Sequence, residues 1–223
     1  MKLFCIVPVF NEEQRVIQTI KNILKYSGYP VVVIDDGSTD KSYSILRKTF
    51  LKDRKVVLLK HVINLGKGAA MKTGVEKAWE LGGEAVIFLD ADGQHDPKMI
   101  PRFAKELRTN QIVFGYRALD SKMPTVRRWG NYLASYVVKV LFGIHKKDLL
   151  SGYLGFRKEV YNKIYWQSNR YGIETEMATR IGRYHLPFKE IKIDTIYVDK
   201  YKGVSLIDAV RIFMQIPFWY FTK

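Results

Sequence analysis

The sequence predicts an α/β protein: a mostly parallel sheet with helices on both faces. Two observations carry that reading. Short apolar runs of strand length alternate with helix-length amphipathic segments through the first half of the chain. Helix-capping and turn residues stand between most of these pairs.

The elements follow in order. Residues 3–9 form a buried strand. Asn11 is expected to cap the following helix, with Gln14 three residues on completing a capping-box pattern. Val16, Ile17, Ile20, Ile23 and Leu24 supply that helix's apolar stripe. Residues 31–34 make a second strand, and Ser38 or Asp40 caps the next helix, carried by Tyr43, Ile45, Leu46 and Phe50. A third strand covers 56–59, a helix 68–81, and a fourth strand 85–89. Pro97 opens another helix at a favoured first-turn position, and 112–114 form a fifth strand. The second half is less regular. A long helix is expected over 124–142, basic at its start, then a short strand over 152–156. A helix over 173–183, an alternating strand over 188–198 and a helix-like segment over 204–221 complete it. No repeat or flexible linker interrupts the chain, which reads as one domain over 1–203 followed by an amphipathic tail over 204–223.

The 223 residues suffice for a sizeable core, and an apolar content of 47% with 26% charged residues is ordinary. The charge balance is not. Lys and Arg number 37 against 22 acids, a formal net charge of +15, so a polyanionic partner is expected: nucleic acid, a phosphorylated substrate or an anionic membrane. The single cysteine, Cys5, lies in an apolar run, excludes an internal disulfide and fits a reducing compartment. The first residues run directly into a strand pattern with no signal-peptide design. No stretch reaches the ~18 uninterrupted apolar residues of a membrane span.

The most informative segment is Asp90-Ala91-Asp92, with Gly93-Gln94-His95 behind it, at the end of the fourth strand. Alternation would put both carboxylates on one face if the strand continued. Like charges that close repel unless a cation lies between them. A hard divalent ion answers this, since Mg²⁺ takes one or two carboxylates from protein and the rest from substrate phosphates and water. Polar signals also end the other strands: Pro8-Val9-Phe10-Asn11-Glu12, Asp35-Asp36-Gly37-Ser38, Asn64-Leu65-Gly66-Lys67-Gly68 and Gly115-Tyr116-Arg117. Ligands of open α/β sheets bind at the carboxyl ends of strands. Acids on two tips and an arginine on a third suit a nucleoside-diphosphate site with a metal. Gly66-Lys67-Gly68 lacks phosphate-loop spacing, and no G-x-G-x-x-G turn follows the first strand, so neither a P-loop NTPase nor a dinucleotide dehydrogenase is favoured. The acidic tips argue against a nucleic-acid-binding domain.

These motifs, with Gly74, the block Asp148-Leu149-Leu150-Ser151-Gly152-Tyr153 with Phe156-Arg157, and the acidic helix start Tyr171-Gly172-Ile173-Glu174-Thr175-Glu176, occur in an order that resembles the inverting family 2 glycosyltransferases of GT-A fold. Within them the chain is most similar to the dolichol-phosphate mannose synthases and related polyprenyl-phosphate glycosyltransferases. The resemblance implies transfer of a hexose, mannose or glucose, from GDP-mannose or UDP-glucose to a polyprenyl (dolichyl) phosphate, with inversion. The expected place of work is the cytoplasmic side of a membrane, as a peripheral protein.

The resemblance also implies roles. Pro8, Phe10, Glu12, Ile34 and Asp36 would line the nucleoside pocket, with Asp35 beside it and Ala91 against the nucleotide. Asp90, Asp92 and Gln94 would hold Mg²⁺ or Mn²⁺. Lys67 and Arg117 would meet the nucleotide sugar, with Arg117 on phosphate; Lys200 and Lys202 would stand on a late diphosphate loop, although Leu206 sits where a lysine is usual. Arg127 or Arg128 would face the acceptor phosphate, and Asp148 would sit near the reacting sugar. Gly115-Tyr116-Arg117 departs from the family's common Gly-Ser-Arg. On the residues alone, Asp40 reads as a cap, His95 as a structural hydrogen-bonder, and Glu174 and Glu176 as helix-start acids. Two other enzymes fit the same residues: a family 2 transferase to a saccharide or protein hydroxyl, and a metal-dependent nucleotidyltransferase. The tail, with Leu206, Ile207, Val210, Phe213 and Met214 on one side and Ser205, Asp208, Arg211 and Gln215 on the other, suits either a helix lying on anionic lipid or a core-packing helix.

Overall fold

In the computed structural model the described residues are 1–117, 135–170 and 172–194. Expectations for Arg127, Arg128, Tyr171, Lys200, Lys202 and the tail over 204–223 lie outside them. The described chain runs β1 (Leu3–Val9), α1 (Val16–Ser27), β2 (Val31–Asp35), α2 (Ser42–Phe50), β3 (Val56–Lys60), α3 (Lys67–Glu80), β4 (Ala85–Phe88), α4 (Ile100–Glu106) and β5 (Ile112–Arg117). A helix over 135–142, α5, comes next. β6 (Leu154–Arg157), α6 (Tyr161–Ile164), α7 (Ile173–Arg183) and β7 (Lys189–Ile193) complete it. Short 3₁₀ turns, Pro97–Met99 and Lys158–Val160, lead into α4 and α6.

The seven strands form one sheet in the order β3-β2-β1-β4-β6-β5-β7. β1 pairs in parallel with β2 and β4, β2 with β3, and β5 with β7. β6 alone runs the other way, antiparallel to both β4 and β5. The carboxyl ends of the other six strands therefore share one edge. That edge carries Val9, Asp35, Lys60, Phe88, Arg117 and Ile193 as last strand residues.

Alternation sorts the strand side chains between two cores. Phe4, Ile6, Val32, Ile34, Val86, Phe88, Ile112 and Phe114 face a core closed by α3, α5, α6 and α7. Leu3, Cys5, Val7, Val31, Val33, Ala85, Ile87 and Val113 face the other, closed by α1, α2 and α4. Both faces are buried, so the expected helix-covered sheet is the one observed. The insertion of β6 breaks strict parallelism.

The ends of elements differ from expectation in instructive places. Asn11 does not cap α1, which starts at Val16 after Arg15 without a side-chain cap. Asn11 takes a positive φ of 54°, a conformation asparagine tolerates better than most residues. Its Oδ1 accepts from the Thr39 N–H at 2.9 Å instead. The Gln14 capping box is absent for the same reason. Neither Ser38 nor Asp40 occupies the cap of α2, which is Lys41 without a side-chain cap bond; Asp40, one residue further out, accepts from Ser42 N through Oδ1 at 2.9 Å. Ser38 Oγ accepts from Asn11 N at 3.0 Å and Ser42 Oγ from Glu12 N at 2.8 Å, so the loops after β1 and β2 are stitched together. β5 continues three residues past Phe114, because Gly115–Arg117 pair with Ile191–Ile193 of β7.

α3 lies close on the sheet. A Cβ at Gly74 would stand 2.5 Å from Ile6 Cγ2 and 2.6 Å from Ile34 Cδ1, both in the fully buried core. Gly74→Ala is expected to lower folding stability by about 1–3 kcal/mol through overpacking. A urea unfolding curve with unchanged slope and a lower midpoint is the expected readout; an unchanged midpoint would contradict this packing.

Candidate active site

The site begins with the β2 tip. Asp35 is fully buried; its Oδ1 accepts from Ser38 N at 3.1 Å, while its Oδ2 has no hydrogen-bond partner among the described residues. Asp36 is buried too, and both of its oxygens are engaged. Oδ1 meets His61 Nδ1 at 2.7 Å and accepts from Leu65 N at 3.0 Å, and Oδ2 accepts from Gly66 N at 2.8 Å. His61 reaches on to Thr73 Oγ1 at 3.0 Å. Asp36 therefore fixes the loop that delivers Lys67 to the first turn of α3. Pro8 and Glu12 are half-buried at the β1 end, Ile34 is buried in the core, and Phe10 is exposed.

The β4 tip is held from three sides. Thr19 Oγ1 donates to the Ala91 carbonyl at 3.1 Å. Asp90 N donates to His95 Nδ1 at 3.0 Å, and the His95 ring stacks on Tyr153, which stacks on Phe103. Burial pushes the His95 pKa down. That agrees with a neutral ring whose Nδ1 accepts, and His95 is the structural hydrogen-bonder expected of it. Asp92 Oδ1 accepts from Gln94 N at 2.9 Å and Oδ2 from Gln94 Nε2 at 2.7 Å.

Lys67 Nζ lies 2.8 Å from Asp90 Oδ1 and 3.2 Å from Glu174 Oε1. Burial works against charge on both Asp90 and Lys67, but their mutual attraction prevails. Asp90 is held at about 2 by Lys67 and then His95, and Lys67 is raised well above the ordinary lysine range by Asp90 and Glu174. Glu174 and Glu176 part company here. Glu176, almost fully buried, accepts from Gln167 N, Ser168 N and Ser168 Oγ and pairs with Arg180. It fixes a loop that closes on α3, where Asn169 O accepts from Gly68 N at 2.8 Å and Trp166 Nε1 donates to Gly68 O at 3.0 Å.

Arg117 and Asp148 meet in a bidentate pair. Arg117 Nε donates to Oδ2 at 2.7 Å and Nη2 to Oδ1 at 3.0 Å, with Arg117 N adding a third bond at 3.2 Å. Asp148 is 0% exposed. Burial alone would raise its carboxyl, but the Arg117 bonds bring it below the usual range. Lys146, two residues before, was not anticipated. It is 2% exposed, with Nζ 3.8 Å from the Phe114 ring centroid and 3.5 Å from the Leu149 carbonyl.

Among the described residues no group of three or more His, Cys, Asp and Glu side chains is placed to hold a metal by itself. Asp90 and Asp92 at one strand tip fit the alternative arrangement, in which a hard divalent ion shares two carboxylates with the phosphates of an incoming ligand.

Residues 4–165 match the model of glycosyl transferase family 2. The chain belongs to that family. It is 28% identical to a UDP-N-acetylglucosamine–dolichyl-phosphate N-acetylglucosaminyltransferase of Methanococcus voltae, across 96% of this chain and 94% of that protein. It is 26% identical to an undecaprenyl-phosphate mannosyltransferase of Micrococcus luteus, across 92% of this chain and 87% of that one. Among solved structures, a mannosyltransferase of Pyrobaculum calidifontis in complex with GDP-Man and Mn²⁺ superposes with a TM-score of 0.65 at 19% identity, covering 90% of this chain and 58% of the other. The fold is thus of the GT-A kind, and the protein is a glycosyltransferase enzyme.

Lys146 yields a pH dependence. Burial lowers its pKa from 10.5 to about 8, against the opposing pull of Asp148, Glu174 and Glu190. Between those values the unfolded chain holds a proton the folded chain has shed, so stability rises with pH. Relative to Lys146→Met, wild type is expected to gain about 2–3 kcal/mol from pH 7.5 to 10. Parallel denaturant titrations at the two pH values measure the difference, and a constant gap would contradict the burial of a cationic Lys146.

Proposed function

We propose that the protein transfers a hexose from a nucleoside-diphosphate sugar to a polyprenyl phosphate at a membrane surface, with inversion. The observation that carries the reading is the carboxyl edge itself. The half-buried Asp90, tied to Lys67, and Asp92 beside it stand at the β4 tip, next to β1 and one strand from Asp35 on β2. The relatives named for polyprenyl-phosphate acceptors support the acceptor class.

Asp35, with Oδ2 unpartnered among the described residues, and the exposed Phe10 suit the nucleoside end, flanked by Pro8 and Glu12. Ile34 and Asp36 act from beneath, as core and as the anchor of the loop over 61–66. Asp90, Asp92 and Gln94 would hold Mg²⁺ or Mn²⁺, which when bound supplies Lewis-acid neutralisation of the leaving diphosphate. Lys67 contributes a fixed positive charge at the same place, and Arg117 another, oriented by Asp148. An acceptor phosphate oxygen bonds to the anomeric carbon as the bond from that carbon to the donor's diphosphate oxygen breaks. The nucleoside diphosphate leaves with the bonding pair. A phosphate monoester is largely dianionic near neutral pH, its second pKa being about 6, so no strong base is required. Arg127 or Arg128, and Lys200 and Lys202, are proposed to meet the acceptor phosphate and the donor diphosphate respectively.

The state of Asp148 favours this acceptor over a saccharide or protein hydroxyl. A hydroxyl must lose its proton to a base during attack. Asp148 is buried, bidentate on Arg117 and held below the usual carboxylate range, a poor base.

Radiolabelled sugar transfer tests the reading. With UDP- and GDP-sugars as donors, label is expected on undecaprenyl or dolichyl phosphate, with nucleoside diphosphate released in equal amount. Release of pyrophosphate, or transfer only to free saccharides, would contradict it. Asp92→Ala and excess EDTA are each expected to reduce turnover by about a hundredfold or more; full activity of that variant in EDTA would remove the metal from the account.

A further inference from the structure

Gly152 takes none of the left-handed conformations that require glycine elsewhere in the chain. Space explains it instead. A Cβ built there would stand 3.1 Å from Glu174 Oε1, 3.1 Å from Lys67 Nζ and 3.6 Å from Asp90 Oδ2. Backbone from the segment entering β6 thus passes close to three charged ends, brought in by α7, α3 and the β4 tip. The two acids of the α7 start differ in what they leave over. Glu176 is taken up by Gln167 and Ser168 of the loop and by Arg180 one turn on. Glu174 uses Oε1 on Lys67, and its Oε2 has no partner among the described residues, although the side chain is only 14% exposed. The chain neighbours of this pair, Ser151 and Thr175, each bury a hydroxyl without a protein partner among the described residues.

We propose that Glu174 and Lys67, facing each other past Gly152, form the subsite for the donor's sugar ring, and that Glu174 is a specificity-determining residue accepting a hydrogen bond from a sugar hydroxyl. This rests on the nucleotide-sugar reading above. The chemistry suits a polyol. A carboxylate accepts and an ammonium donates, and two adjacent hydroxyls of a hexose offer both roles. The missing side chain at position 152 lets Lys67 and Glu174 come this close to the backbone there. Lys67 already reaches Asp90 at the proposed diphosphate position, so the same ammonium links that position to Glu174. Hydrogen bonds to an ionised acceptor are about twice as strong as neutral ones. A site built around a particular hydroxyl discriminates strongly against sugars that lack it or present it differently.

Calorimetry with Mn²⁺ present separates this role from a merely electrostatic one. UDP and GDP, and UDP-glucose, UDP-N-acetylglucosamine and GDP-mannose, are titrated into wild type, Glu174→Gln and Gly152→Ala, each first shown by thermal melting to be folded. Glu174→Gln is expected to weaken the preferred nucleotide sugar about tenfold or more while leaving the matching nucleoside diphosphate within about twofold. Gly152→Ala, whose Cβ would press on Lys67 Nζ as closely as on Glu174 Oε1, is expected to weaken both classes of ligand. If both ligands change equally in Glu174→Gln, Glu174 only tunes Lys67 and the subsite is overturned; no change in either ligand overturns it as well. Wild type that binds no nucleotide sugar at all would instead overturn the parent reading. Should Glu174→Gln not fold, Glu174→Asp, which keeps the charge but draws it back from the sugar, takes its place with the same split expected and the same results overturning the subsite.

Discussion

Two carboxylates meet at one edge of this sheet because Lys67 lies between them. Asp90 comes from the β4 tip and Glu174 from the start of α7, and each approaches the same ammonium within 3.2 Å. Removing one partner of a part-buried charge group leaves the others unpaired, which costs far more than the group contributes when complete. Much of the surrounding structure holds these three side chains in place. Asp36 fixes the loop ahead of Lys67, Glu176 fixes the loop that closes on Gly68, and the Phe103–Tyr153–His95 stack supports the backbone of Asp90.

The topology explains why the charges fall together. Six strands point their carboxyl ends the same way, so every loop leaving them opens onto one rim. The reversed β6 contributes the opposite end: its entry segment, Ser151-Gly152-Tyr153, arrives at that rim instead of leaving it. A strand inserted in this sense brings Gly152 against Lys67 and sets Tyr153 under His95. It also lets the segment ahead of it carry Asp148 to Arg117 at the end of β5.

The strands, the two-faced sheet and the acidic tips of β2 and β4 were legible because buried runs and their polar endings are local patterns. Long-range choices were not. Asn11 followed by Gln14 has the composition of a helix start, yet Asn11 bonds across 28 positions to Thr39, a competition no local pattern records. The direction of β6 is not written in its residues, since Leu154–Arg157 would look the same in either sense. Glu174 and Glu176 are indistinguishable as first-turn acids; only the folded loop over 166–169 assigns one to structure and leaves the other at the site. Lys146 resembles a solvated lysine among basic neighbours, and its burial over Phe114 follows from tertiary packing alone.

The most direct measurement concerns Lys67. Its replacement by methionine keeps the unbranched stem of the side chain and removes the ammonium, with folding checked by thermal melting. Calorimetric titration with the nucleoside diphosphate preferred by wild type, in Mn²⁺, is expected to show affinity reduced by about tenfold or more. A folded Lys67→Met protein that binds the nucleotide as tightly as wild type would contradict the site described at this edge.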